Sequence, residues 1–205
     1  MPYTNESPYA EFIDAMEKSE GRIRLERPKT AVARLVLDDA ENMNALSGEL
    51  TVELHRKLAD VVADRRVRVI QLAGEGQFFS VGGDWKLMEG RAHRAHLRDE
   101  ASFGVWQWIR YQFGGIARLL SQTDKTVIVA LNGDVAGVAL AWMLSCDLVV
   151  AAEPARLVPA FGRIGLVPEV GSSWALSRRL GHQKLFELFV TGRPLGAAEA
   201  QTLGL

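Results

Sequence analysis

The chain has 205 residues, 48% of them hydrophobic, which is enough for one well-buried domain and too few for two independent ones. Lys and Arg number 24 against 25 Asp and Glu, a formal charge of −1, so no broad basic surface is available to grip a nucleic-acid backbone. The single cysteine, Cys146, excludes an intrachain disulfide and a multi-cysteine zinc set, and the longest apolar stretches, Val127 to Leu131 and Val135 to Leu144, are closed by Asn132, Asp134 and Asp147 well before bilayer length.

Residues 1–28 read as a charge-rich, poorly patterned extension ending at Pro28, expected to be partly mobile or to lie on a neighbour. Its start, MPYTNESPYAEF, is acidic and polar where a signal peptide needs a basic start and an apolar run, so cytoplasmic residence is expected. Residues 29–205 form the domain proper. AVARLVLDD, from Ala31, alternates as a strand does. Ser47 is a good N-cap, and Leu50, Leu54, Leu58, Val61 and Val62 recur at helical spacing, which predicts a helix over 48–63. VRVIQLAG (67–74) reads as a buried strand, and strand, helix, strand implies a crossover onto a sheet.

A glycine-dense loop, GEGQFFSVGGDWKLMEG, follows from Gly74, then the charged run RAHRAHLRDE. An amphipathic helix is predicted from about Phe103 to Ser121, with Gly114-Gly115 arguing against its continuity. TVIVALNG (126–133) is strand then turn, Val135 to Ser145 a small-residue apolar helix, and DLVVAAE (147–153) another strand. Ser172 to Leu180, His182 to Thr191 and Ala197 to Leu203 read as helices. The order is that of an α/β domain with a largely buried sheet.

Two glycine loops that follow buried strands are the places where chemistry could sit: Gly74 to Asp84, and Asn132 to Gly137. The second runs straight into a helix, whose first amides and positive dipole end suit an anionic oxygen, and Gly137 lets a ligand approach the backbone. The plainer use of such glycines is a tight turn.

FFSVGGDWKLM (78–88) resembles the F-S-A-G-G-D-L-K-x-M segment of the crotonase (enoyl-CoA hydratase/isomerase) superfamily. The stretch from Val127 to Gly181 is similar to that family's second signature, and ENMNALSGEL (41–50) resembles the N-A-L-S entry to its first long helix. The resemblance runs from about Ala31 to Leu205. It implies a spiral of ββα units that binds an acyl-CoA thioester, with the carbonyl polarised by the amides of Val81 and Val138, where the family usually has alanine and glycine. Valine keeps the donor but restricts the backbone and narrows the space beside it. By the same resemblance, Ala45, Leu46, Gly82, Gly83, Asp84, Gly137, Ala141 and Phe161 are expected to line the bound thioester. The resemblance further implies a homotrimer or hexamer and no cofactor beyond the coenzyme A of the substrate, and C-terminal helices completing the acyl pocket are expected beyond Leu205, where the sequence stops.

The chemistry is sound independently of the family: proton removal beside a thioester, or addition to its conjugated alkene, puts negative charge on the thioester oxygen, and one well-aimed donor is worth about 3 to 4 kcal/mol. The two glutamates used by the family's hydratases fall on Ala141 and Phe161, neither of which moves a proton. One carboxylate remains in the later loop, Glu169, at a position similar to the acid of isomerase and dehalogenase branches. Apolar neighbours are expected to raise its pKa, which suits a proton shuttle; the alternative is a cap for the helix starting near Ser172.

Asp84 is expected to close its own loop, and Asp134 to serve a turn. His93 and His96 have no third ligand in view, so no metal site is expected, while Arg91, Arg94 and Arg98 could meet CoA phosphates. Trp106, Trp108, Trp142 and Trp174 suit the core or an acyl-pocket wall, and Ser172-Ser173 form no GxSxG elbow. The leading expectation is an enoyl-CoA isomerase with Glu169 as base. An acyl-CoA decarboxylase or hydrolase on the same fold, and a non-catalytic acyl-CoA binding or assembly protein, stay open.

Overall fold

The computed structural model describes residues 22–84 and 106–205. The chain enters as β1 (Arg22–Lys29) and turns back antiparallel as β2 (Val32–Asp38). The extension drawn to residue 28 therefore ends inside a strand. Its charge hid it: Ile23 is fully buried, but Arg24 reaches Glu26, Asp38 and Glu75 at 2.7 to 2.8 Å, and the apolar alternation of this ion-paired strand stops at Ile23 and Leu25.

α1 (Gly48–Ala63) begins where Ser47 Oγ accepts from the Leu50 amide at 3.3 Å, and buries Leu50, Leu54, Leu58 and Val61 along one stripe. It crosses to β3 (Val69–Gly74), which pairs parallel with β2. The remaining chain repeats one unit, a strand in a first sheet, a short strand in a second, then a helix. β3 is followed by β4 (Phe78–Ser80) and, after the undescribed stretch, by helix over 106–122, comprising a π-helical turn at Ile109–Phe113 and α2 (Gly114–Gln122). β5 (Thr126–Leu131) is followed by β6 (Asp134–Ala136) and α3 (Gly137–Leu144). β7 (Leu148–Ala151) is followed by β8 (Arg156–Val158), a 3₁₀ turn at Ala160–Ile164 and α4 (Ser172–Leu180). α5 (His182–Thr191), β9 (Leu195–Gly196) and α6 (Ala197–Thr202) complete the described chain.

The first sheet has the order β1-β2-β3-β5-β7, parallel apart from β1, and the second the order β4-β6-β8-β9. This is the α/β spiral of ββα units. Gly114-Gly115 does not break the helix; Gly115 lies against the His55 ring, where a Cβ would come within 2.6 Å of the imidazole. The helix expected from Val135 begins at Gly137, because Asp134–Ala136 pairs between β4 and β8. None of the described helices is long and apolar enough to cross a membrane.

The step from β3 to β4 leaves turn amides and carbonyls without a ladder, and asparagine side chains satisfy them. Asn132 Nδ2 donates to the carbonyls of Gly76 (2.9 Å) and Phe78 (3.2 Å) while its Oδ1 accepts from the Gly74 amide (3.2 Å). Asn132→Ala leaves three main-chain groups without these partners and should lower stability by about 2 kcal/mol, measured by urea unfolding; a change below about 0.5 kcal/mol would show that water replaces the side chain freely.

Candidate active site

Parallel pairing of β4 with β6 sets the loop after β4 against the entry to α3. Gly82, at φ 89°, is the point of contact: a Cβ there would stand 2.7 Å from the Ala136 carbonyl oxygen and 3.4 Å from the Gly137 Cα. Only glycine permits this approach. Gly137, itself at φ 53°, opens α3, so Val138 lies in the first turn, where helix amides lack intrahelical acceptors. Among the described residues no hydrogen bond is formed by the Val138 amide.

Val81 differs from the sequence expectation of an unengaged donor. Its amide donates to the Met43 carbonyl at 3.2 Å, outside any helix or strand and at the long end of hydrogen-bond distances. Met43 and Asn44 both adopt left-handed backbone, φ 55° and 52°, which turns the Met43 carbonyl toward the loop. The two segments are joined further: Leu46 N donates to Gly82 O at 2.8 Å, Leu46 bridges Gly83, Ser80 Oγ donates to Asn44 O at 2.7 Å, and Gly82 N donates to Ser80 Oγ at 3.1 Å.

The expected narrowing by valine is also revised at one position. Val138 is 2% exposed and its side chain belongs to the hydrophobic core, whereas Val81 is half-buried beside the loop. Leu46 is likewise core, at 0% exposed, so it meets the site through its backbone; Ala45 and Gly137 are half-buried and Gly83 is exposed. Ala141 lies one turn beyond Val138 on the same stripe of α3 and is buried. Phe161, buried in the 3₁₀ turn, stacks edge-on to Phe189 at 6.1 Å. Neither supplies a group that titrates.

Glu169 follows that turn in the loop closed by Leu166 N on Phe161 O (2.9 Å) and leads to α4, which packs on α3. The Glu169 carboxylate makes no capping hydrogen bond: the N-cap of α4 is Gly171, and the Glu169 main-chain carbonyl accepts from Ser172 N and Oγ at 3.0 and 2.7 Å. The carboxylate forms no hydrogen bond or ion pair among the described residues, and burial pushes its pKa above the usual carboxylate range. Glu26, Glu53, Asp64, Glu187 and Glu199 go the other way, drawn down by hydrogen-bonded Arg or Lys partners, although for Glu53 burial is the larger influence and opposes the shift. Val170, next to Glu169, holds φ 54°, a left-handed conformation that a β-branched residue rarely adopts.

Other candidates fall away or lie elsewhere. Asp134 accepts the Arg156 amide at 3.0 Å and pairs with its guanidinium at 2.5 Å, a strand-joining role. Asp84 ends the described part of its loop, half-buried. Burial, with the Asp147 charge adding to it, pushes the Cys146 thiol up to about 12, which leaves it inert near neutral pH. Trp108 and Trp142 are core, the latter donating to Phe113 O at 3.0 Å, while Trp106 and Trp174 are exposed. His93, His96, Arg91, Arg94 and Arg98 lie outside the described residues; among those described, no cluster of three metal-ligating side chains occurs. Sequence reading missed Asn44, fully buried just ahead of the α1 N-cap, whose amide donates to Glu75 O (2.9 Å) and Phe78 O (2.8 Å).

A family model described as enoyl-CoA hydratase/isomerase matches residues 27–205. A protein of Mycobacterium tuberculosis named a probable enoyl-CoA hydratase is 30% identical over 198 residues, 96% of this chain and 68% of its own length. The 1,2-epoxyphenylacetyl-CoA isomerase of Escherichia coli is 29% identical, covering 88% of this chain and 67% of that protein. Among solved structures, a monofunctional enoyl CoA isomerase from M. smegmatis superposes with a TM-score of 0.69 at 30% identity, covering 89% of this chain and 73% of its own.

The raised pKa of Glu169 has a consequence for stability. A carboxyl whose folded pKa exceeds its unfolded value binds more protons when folded, so its contribution is fully present below the unfolded value of about 4.3 and is lost as pH rises through the folded value. Glu169→Gln should therefore be the more stable protein at pH 7 to 8, with the difference vanishing near pH 4; thermal melts across that range that run parallel would contradict the desolvated carboxyl.

Proposed function

The chain belongs to the enoyl-CoA hydratase/isomerase family, and within it we propose an enoyl-CoA isomerase that works through an enolate with Glu169 as its one base. The observation that carries this reading is a half-buried carboxylate that has no partner among the described residues, its pKa raised, in a chain with Ala141 and Phe161 where the family resemblance places the pair of carboxylates that activates water. The E. coli and M. smegmatis proteins are named isomerases, whereas the M. tuberculosis protein is named a hydratase. The names do not choose between them, and the side chains favour proton transfer over water addition.

In this mechanism a 3-enoyl thioester lies with its carbonyl oxygen at the Val138 amide, near the positive end of α3. The oxygen takes the place of the Met43 carbonyl as acceptor for Val81. Glu169 removes a proton from carbon 2; the electron pair shifts onto the thioester oxygen and is shared through the conjugated carbons. The same carboxyl returns the proton to carbon 4, leaving the 2-enoyl thioester and a carboxylate ready for the next turnover. The raised pKa suits both halves, since a weak acid that is also a usable base exchanges protons efficiently near neutrality. No group beyond the coenzyme A of the substrate is required. Exposed Leu166, Val167, Trp174, Phe186 and Val190 support assembly into trimers.

A second reading, a non-catalytic acyl-CoA binding protein, is favoured by the engaged Val81 amide. Incubation with a 3-enoyl-CoA in heavy water separates the two. Deuterium should enter carbon 2 or 4, at a rate that rises with pH until Glu169 is ionised and then levels. Glu169→Gln should lower the rate by a factor of about 10² to 10⁴ with thioester affinity nearly unchanged. Binding without any exchange would favour the second reading, and full exchange in Glu169→Gln would remove the base from this residue.

A further inference from the structure

We propose that Asn44 is the positioning residue of the oxyanion site, setting the Val81 amide through its hold on the loop that carries it; the inference deepens the isomerase reading and rests on its oxyanion site. Asn44 is fully buried, and its polar groups are committed to one task. Its Oδ1 accepts from the Asp39 amide at 2.9 Å, and its Nδ2 donates to the carbonyls of Glu75 and Phe78, which bracket the turn into β4. Its own carbonyl accepts from Ser80 Oγ, which accepts in turn from the Gly82 amide. Val81 thus lies between two residues, Ser80 and Gly82, that one side-chain oxygen ties to Asn44, and its amide meets the carbonyl of the preceding residue, Met43.

The left-handed backbone of Asn44, φ 52°, is part of the arrangement, since it presents main chain and side chain to the same loop. A residue that only stabilised the fold would not need to reach both sides of the donor. Displacing a donor by about 1 Å costs on the order of a hundredfold in rate, so such a tether governs turnover more than affinity.

The test uses the full-length protein and a 3-ketoacyl-CoA, whose enolate absorbs in the near ultraviolet and reports polarisation of the thioester oxygen without turnover. Asn44→Asp keeps the acceptor for Asp39 and loses both donations. Its kcat for isomerisation should fall by about 10² with KM within threefold, and the bound-enolate absorbance should largely disappear while ketoacyl-CoA still binds. Ser80→Ala, which severs only the link between Asn44 and Gly82, should show the same signature at about tenfold, and serves if Asn44→Asp does not fold. A folded variant with a lower melting temperature but wild-type kcat and enolate absorbance would overturn the assignment, leaving Asn44 a stabilising residue. Wild-type protein that binds ketoacyl-CoA without ionising it would overturn the oxyanion site and this inference together. Ionisation without isomerisation would overturn the isomerase reading alone, and the assignment would then be read from the absorbance of the two variants.

Discussion

One main-chain oxygen, that of Phe78, accepts from two asparagine amides, Asn44 at 2.8 Å and Asn132 at 3.2 Å. Both of its lone pairs are filled, one from the segment before α1 and one from the turn after β5. β4 is only three residues long and could not hold its place by ladder bonds alone. Pinned at its first residue by two neighbouring turns, it fixes the start of the loop that runs through Val81 to the contact of Gly82 with Ala136. The distance between the two glycine loops follows from this junction. So does the absence of a side chain at Gly133, where a Cβ would collide with the Gln77 carbonyl.

Much of the architecture was legible because the long elements carry their own periodicity. α1 occupies Gly48–Ala63 as its leucine spacing and Ser47 cap require, and β3 and β5 fall within their valine-rich runs. What could not be read were β4, β6, β8 and β9, of two or three residues each, too short for any alternation to show. They exist because a partner strand is already in place, which is a tertiary condition. β1 was hidden for another reason: Ile23 is its one buried side chain, Arg24 is held by Asp38 and Glu75, and charge in a sequence reads as solvent.

The site divides along the same line. Glu169 could be picked out as a carboxylate among apolar neighbours, since desolvation is a property of composition as much as of geometry. Donor geometry is not. That the Val81 amide meets Met43, and that the Val138 side chain turns into the core, depends on left-handed residues Met43 and Asn44 and on the α3 entry, none of which has a pattern in one dimension. Asn44 left one trace, a polar residue directly before the apolar Ala45-Leu46 and the α1 cap, but an asparagine there reads equally well as a turn former.

Two costs meet in the loop from Leu166 to Gly171. A carboxylate is held partly out of water with no counter-charge among the described residues, and the adjoining Val170 is held at φ 54°. Each opposes folding, the second by roughly 1 to 2 kcal/mol for a left-handed non-glycine residue. An Arg or Lys beside Glu169 would relieve the first, yet it would draw the carboxyl pKa back down and, under the proposed reading, weaken it as a base. Glycine at 170 would relieve the second while freeing the Glu169 backbone to turn. The surrounding structure tolerates both costs because the loop is tied at its ends, by Phe161 to Leu166 and by Ser172 to Glu169, each through main-chain atoms that leave the carboxylate unengaged. Under the proposed isomerase reading, stability given up at these two residues would keep one acid available for proton transfer in a chain with Ala141 and Phe161 at the positions of the hydratase pair.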